Sequence, residues 1–309
     1  MFHKLAIAKT LGSFSFEGAS KTRTASFDKC SSIYIDGGKS IDFEAVLDTV
    51  AGEYNISRDP RDYLLVPARA VSGNYHNENL DFFADTELTR FDPQLGRNIY
   101  ATFNLCPSFV NHNAENYRLS RGVIVDSHFN DLNDASDSVK EAVFNSMGVE
   151  TDKDVFVECL VALDSTKDTA LVDGFKTGAV NAFSMGADVE STTCNICGHT
   201  ASTTFQLCPC IRNKFSRKKY NLSGGRSAVA FEICNGTIFR ELSTVDDPAD
   251  KNALVQDRLL SVAANASNPY NLSNREVNDI FRFVAKNGAA LPEALSKLLY
   301  SVLEDGGAQ

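Results

Sequence analysis

The sequence predicts an α+β fold, on three observations. Strand-like and helix-like segments follow one another in no regular strand–helix–strand repeat, and the run at 154–164 alternates apolar residues with further apolar residues on its other face. The pattern after Pro248 is helical. A doubly wound parallel sheet would need the regular alternation that is missing.

Taken in order, residues 1 to about 60 mix glycine, serine and charge, with one helical stretch in IDFEAVLDTVAGEY, and read as an N-terminal appendage. From Tyr63, YLLVPARAV reads as a strand and SGNYHNENLDFF as a turn-rich loop. The stretch RGVIVD is strand-like, with His128 at its end. SDSVKEAVFNSMG sets Val139, Ala142, Val143 and Met147 at helical spacing, with Gly148 as its stop. DVFVECLVALD places Val155, Val157, Cys159, Val161 and Leu163 on one strand face. STKDTALVDGFKTG opens on Ser165 and Asp168 at capping-box spacing and closes at Gly178. AVNAFSMGADVE is then the next strand. In the tail, Ser273 and Glu276 form a capping box ahead of the stripe Val277, Ile280, Phe281 and Val284, and LPEALSKLLYSVLEDGG makes a last helix.

Composition narrows the function classes. Hydrophobic residues at 43% and charged residues at 23% are ordinary for a globular chain. The longest apolar runs fall short of the ~20 residues that cross a bilayer, and MFHKLAIAKTLG lacks the apolar length of a secretory signal, so a cytoplasmic protein without a membrane partner is expected. A net charge of −10 argues against broad nucleic-acid binding. Against that sign stands one basic cluster, Arg212, Lys214, Arg217, Lys218, Lys219 and Arg226. Its common reading is a solvated face; a nucleic-acid contact or a dock for an acidic scaffold protein are the others.

Eight cysteines without a secretion signal point to thiols or metal ligands rather than disulfides. Cys194 and Cys197 form a C-x2-C pair, and Cys208 and Cys210 a C-x-C pair ten residues later, the makings of a four-thiolate structural zinc site. The second pair is tighter than usual, so His199 or Cys234 is an alternative ligand.

Ser184, in the apolar run AFSMG, is either a strand hydroxyl or a nucleophile. A nucleophile needs a general base, usually histidine. The candidates are His3, His76, His112, His128 and His199, and spacing alone does not choose among them.

Four stretches read in order change this. LVPARAVSGNYHNENLDFFADTEL, SFVNHNAENYRLSRGVIVD, VDGFKTGAVNAFSMGADVE and FRELSTVDDPADKNAL together resemble the prohead maturation proteases of tailed bacteriophages, relatives of the herpesvirus assemblins. The resemblance covers about residues 63 to 252. It implies a β-barrel-like core flanked by helices, a serine endopeptidase activity, Ser184 as nucleophile and His112 as general base. Glu241 fits best as the third member; Asp246 and Asp247 lie close by, and His128 would stand in if a second histidine served. The glycines of SGGR, Gly224 and Gly225, are candidates for the oxyanion hole. No cofactor is needed for the chemistry.

The expected layout is an appendage at 1–60, a protease domain at 61–252 and a helical tail at 253–309. A cysteine-rich zinc insertion at 191–224 departs from the family pattern. The resemblance further implies action inside the procapsid in the host cytoplasm, on scaffold and major capsid proteins and on itself. Cleavage is expected after glutamate, with LPE placing a self-cleavage at Glu293. The competing reading is a non-catalytic, zinc-containing virion or scaffold-binding protein.

Overall fold

The strands that organise this chain are, in order, β1 (Phe2–Leu5), β2 (Ala25–Ser26), β3 (Tyr63–Ser72), β4 (Asp81–Phe82), β5 (Pro107–Ser108), β6 (Gly122–Leu132), β7 (Asp154–Asp164), β8 (Phe183–Cys194), β9 (Thr200–Ala201) and β10 (Glu232–Thr244). They form two curled half-barrel sheets. One runs β1-β8-β10-β4 with β9 on β8; the other runs β2-β3-β7-β6-β5. All neighbours are antiparallel except β10 and β4. The computed structural model describes residues 2–5, 25–26, 32–35, 39–222 and 225–255. The tail helices expected beyond 255 and the Glu293 site lie outside the described residues.

One core joins the inner faces of both sheets: Val66, Val157 and Val161 from the second sheet meet Phe183, Met185 and Phe239 from the first. The other face of the second sheet is covered by helix α1 (Phe43–Tyr54), whose Phe43, Leu47 and Val50 pack on Leu65, Val123 and Leu160. A sheet buried on both faces needs apolar residues at both phases of its alternation. That is why β3 is buried along its whole length and β7 reads as a nearly unbroken apolar run.

Helix α1 starts where Asp42 accepts a hydrogen bond from the Ala45 amide and ends at Asn55 in the left-handed region. Its buried stripe makes residues 43–56 part of the core rather than of an appendage. Helices α2 (Asp137–Met147) and α3 (Thr169–Thr177) close on Gly148 and Gly178, both at positive φ, as their sequences predict. The start of α3 differs from the expectation. Asp168 is itself the cap, accepting from the Leu171 amide at 2.9 Å, while Asp164 already binds the amide and hydroxyl of Thr166. A carboxylate in the cap position leaves no N-terminal role for Ser165.

Residues 248–255 depart from the helical pattern as well. They turn and then run against the sheets, Val255 bridging to Ala68 and Leu254 to Ala182. Backbone groups left open by those two strands capture the segment: Phe183 N–H donates to Ala253 and Arg69 N–H to Leu254.

Candidate active site

The register of β8 against β10 places Ser184 opposite Ser243 and Gly186 opposite Glu241. With a side-chain period of two, all four positions share one face of the sheet. A bulge follows at once: Arg240 is skipped between Glu241 and Phe239, and its guanidinium pairs outward with Asp188 at 2.8 Å. Bulges re-aim side chains.

His112 reaches this face from the loop after β5. The loop is stitched to the end of β10: Asn111 N–H donates to Thr244 O at 2.9 Å, and Thr244 N–H donates to Phe109 O at 2.9 Å. Asn111 and His112 both adopt left-handed backbone, with φ of 51° and 55°. Such conformations are costly outside glycine and persist only where the surroundings enforce them. Here they turn the imidazole back onto the sheet.

The three side chains form one chain of hydrogen bonds. His112 Nε2 lies 2.9 Å from Ser184 Oγ, and His112 Nδ1 lies 2.5 Å from Glu241 Oε1. An ionised carboxylate can only accept, so Nδ1 carries the hydrogen and Nε2 is bare to accept from the serine hydroxyl. Ser184 is 1% exposed, and the His112 and Glu241 side chains 1% and 2%. In a site of such low dielectric, the carboxylate both fixes the tautomer and stabilises an imidazolium formed when the serine gives up its proton. The arrangement is able to activate a hydroxyl for acyl transfer.

The other sequence candidates fall elsewhere. His128 lies within β6, on the other sheet, opposite Glu158. Asp247 pairs with Lys251, and Asp246 is exposed in the turn that follows β10. Gly225 sits in the hairpin joining strands Lys219–Asn221 and Ser227–Val229, where Arg226 donates to Met147 O at the end of α2. The small pocket beside Ser184 is lined by residues such as Ser72, Tyr75, Asp81, Met185 and Asp250, and Gly225 is not among them; Gly224 lies outside the described residues. Asp250 anchors this lining by accepting from the Ser72 amide at 2.9 Å and the Tyr75 hydroxyl at 3.0 Å. Burial and the Asp250 charge push the Tyr75 phenol well above its usual range.

Two residues were not singled out by sequence reasoning. Ser243 donates to Glu241 Oε2 at 2.5 Å, and Gly186 has no side chain where the carboxylate crosses it. A period-two reading of ELS and of SMG carries the signal, since each partner lies two residues from a candidate.

At the far end of β8 the four cysteine sulfurs of Cys194, Cys197, Cys208 and Cys210 lie within 4.8 Å of one another, a cluster able to hold a metal ion. The first pair sits on a knuckle: Gly198, at φ 70°, donates to Cys194 O, and Ile196 N–H donates to Cys194 Sγ at 3.4 Å. Burial pushes the Cys194 thiol up to about 12 and raises that of Cys210, while the His199 amide lowers Cys197. Neither alternative ligand is in the cluster. The His199 Nε2 bonds Gln206 O at 2.7 Å, and Cys234 is buried in the main core.

The basic cluster divides, with Lys214 buried and Arg212, Arg217, Lys218, Lys219 and Arg226 on the surface. Lys214 is 8% exposed between Asp81 and Glu232, at 3.3 and 2.6 Å. Arg217 pairs with Glu78, Arg212 donates to Phe205 O, and Lys218 lies over the Tyr220 ring. Compared with protein-family models, curated proteins and solved structures, the chain matches none.

Proposed function

We propose that this chain is a serine endopeptidase in which Ser184 attacks a peptide carbonyl, His112 takes and returns the proton, and Glu241 orients the imidazole. The single observation that carries the reading is the imidazole of His112 bridging Ser184 Oγ and Glu241 Oε1 at 2.9 and 2.5 Å. The order of motif-like stretches supports the prohead type, with an assemblin-like core. Its substrates are then scaffold and capsid proteins and the chain itself, inside the procapsid in the host cytoplasm. The two curled sheets and the helices against them are compatible with such a core. The Cys194, Cys197, Cys208 and Cys210 cluster holds zinc as a closed structural site, with no open position for substrate.

The test is mass spectrometry of wild-type, Ser184→Ala and His112→Ala protein, each incubated with scaffold or capsid extract. Fragments ending in glutamate that appear with wild type alone support the reading; identical fragments from all three defeat it. The burial of Ser184, at 1% exposure, favours one other reading, a non-catalytic zinc-containing virion or scaffold-binding protein in which the hydrogen-bond chain is structural. It expects no fragments from folded wild type with competent substrate, and particle maturation indifferent to Ser184→Ala.

A further inference from the structure

We propose that Ser243 is a fourth member of this constellation, a positioning residue that fixes the carboxylate of Glu241 for His112; the catalytic part of this inference rests on the serine-peptidase reading. A glutamate has three rotatable bonds, and one hydrogen bond to His112 would leave its carboxylate free to swing. Ser243 follows two residues later on β10, so its side chain rises from the same face. Its hydroxyl donates to Oε2 at 2.5 Å, while Oε1 faces His112 Nδ1 at 2.5 Å. Each carboxylate oxygen therefore has its own donor, and the plane of the group is set by two bonds from different segments of chain.

Ser243 is fully buried, at 0% exposure. Its hydroxyl proton is committed to the carboxylate, which separates it from Ser184, its cross-strand partner, whose hydroxyl lies against the bare Nε2. The two serines thus occupy equivalent positions on paired strands with opposite duties: one hydroxyl gives its proton to the base, the other holds the group behind the base. In a buried site a donor to an ionised carboxylate is worth more than an ordinary hydrogen bond. Losing it releases the orientation of Glu241 and, through it, of the imidazole.

The experiment compares Ser243→Ala and Ser243→Thr with wild type in the full-length chain, using two readouts. The first is the hydrolysis of a synthetic peptide spanning residues 286–300, which contains Glu293. The expected result is a fall of about tenfold in kcat with KM unchanged for Ser243→Ala, and recovery in Ser243→Thr, which keeps the hydroxyl. The second is the Nδ1-proton resonance of His112 in protein labelled with 15N-histidine, assigned by its loss in His112→Ala. It is expected to move upfield and exchange faster in Ser243→Ala and to hold its place in Ser243→Thr. Should the threonine variant fail to fold, Ser243→Cys replaces it, with a weaker donor and an intermediate resonance.

An unchanged Nδ1 resonance in folded Ser243→Ala overturns the proposal, whatever happens to the melting temperature. If wild type leaves the peptide and the capsid extract uncut, the peptidase reading fails by itself. The resonance still decides whether Ser243 orders the Glu241–His112 pair.

Discussion

Gly186 lies opposite Glu241 on the neighbouring strand, and a Cβ added at Gly186 would sit 2.9 Å from Glu241 Cγ and overlap Oε1. The carboxylate reaches His112 by crossing the space that any other residue would fill. Gly186→Ala is therefore expected to keep the fold and displace Glu241, lowering kcat about a hundredfold, the scale of a 1 Å misplacement. Steady-state kinetics beside a thermal melt checks this; equal activity with an equal melt would mean that the carboxylate has room to spare.

The cysteine cluster predicts one zinc ion per chain, measurable by elemental analysis of purified protein. Cys194→Ser and Cys208→Ser should abolish stoichiometric metal, whereas His199→Gln and Cys234→Ser should retain it, because those side chains are engaged elsewhere. Chelation is expected to lower the melting temperature and to raise hydrogen exchange first in residues 194–221, the segment that a metal on these cysteines would tie together. Metal retained by Cys208→Ser would remove the C-x-C pair from the ligand set.

Lys214 joins Asp81 on β4 to Glu232 at the start of β10, and Thr192 Oγ1 donates to the other oxygen of Glu232. Deleting the ammonium leaves two carboxylates buried against each other. Lys214→Ala should cost about 3–5 kcal/mol, read by urea unfolding. Lys218→Ala, on the surface, should change stability by less than about 0.5 kcal/mol.

His76 supplies a pH dependence. Its ring packs on Phe231 at 5.3 Å between centroids, with Nδ1 3.1 Å from Asn77 O. Burial chiefly, and the nearby Arg217 charge, lower its pKa, while the Asn77 carbonyl and Glu78 oppose the shift. A histidine with a depressed folded pKa takes up its proton more readily when unfolded. Its contribution to stability is thus present above the unfolded value of about 6.5 and is lost as pH falls through the folded one. The melting temperature should fall between pH 7 and pH 5, with a shallower slope in His76→Gln. Identical slopes would place the acid sensitivity elsewhere.

Much of the site was legible because its signals are local. Cys194, Cys197, Cys208 and Cys210 declare themselves by spacing, and the strand carrying Ser184 by its place after a helix that stops at Gly178, whereas the strand carrying Glu241 came with the resemblance of FRELSTV. Their joining with His112 rests on the order of four motif-like stretches, since no spacing relates residues 112, 184 and 241. What escaped was tertiary. Nothing in IDFEAVLDTVAGEY says which surface its apolar stripe covers, and Lys214 looks like its exposed basic neighbours until Asp81 and Glu232 arrive from elsewhere. Ser165 lost the cap of α3 to Asp168, a contest between two good caps three residues apart.

The ladder between β8 and β10 runs from Cys194 opposite Glu232 to Phe183 opposite Thr244. Closing it first at the cysteine end encloses the shorter loop, 195–231, and bound metal would shorten that loop further; closing it first at the serine end encloses everything from 185 to 242. Zippering from the knuckle is the less costly route, and it brings Ser184 and Glu241 together only at the final pairs. His112 joins later still, because its loop is anchored to Thr244, the last residue of β10. The hydroxyl, the imidazole and the carboxylate thus meet only when folding is complete: a half-made molecule holds every group of the candidate site and none of its geometry.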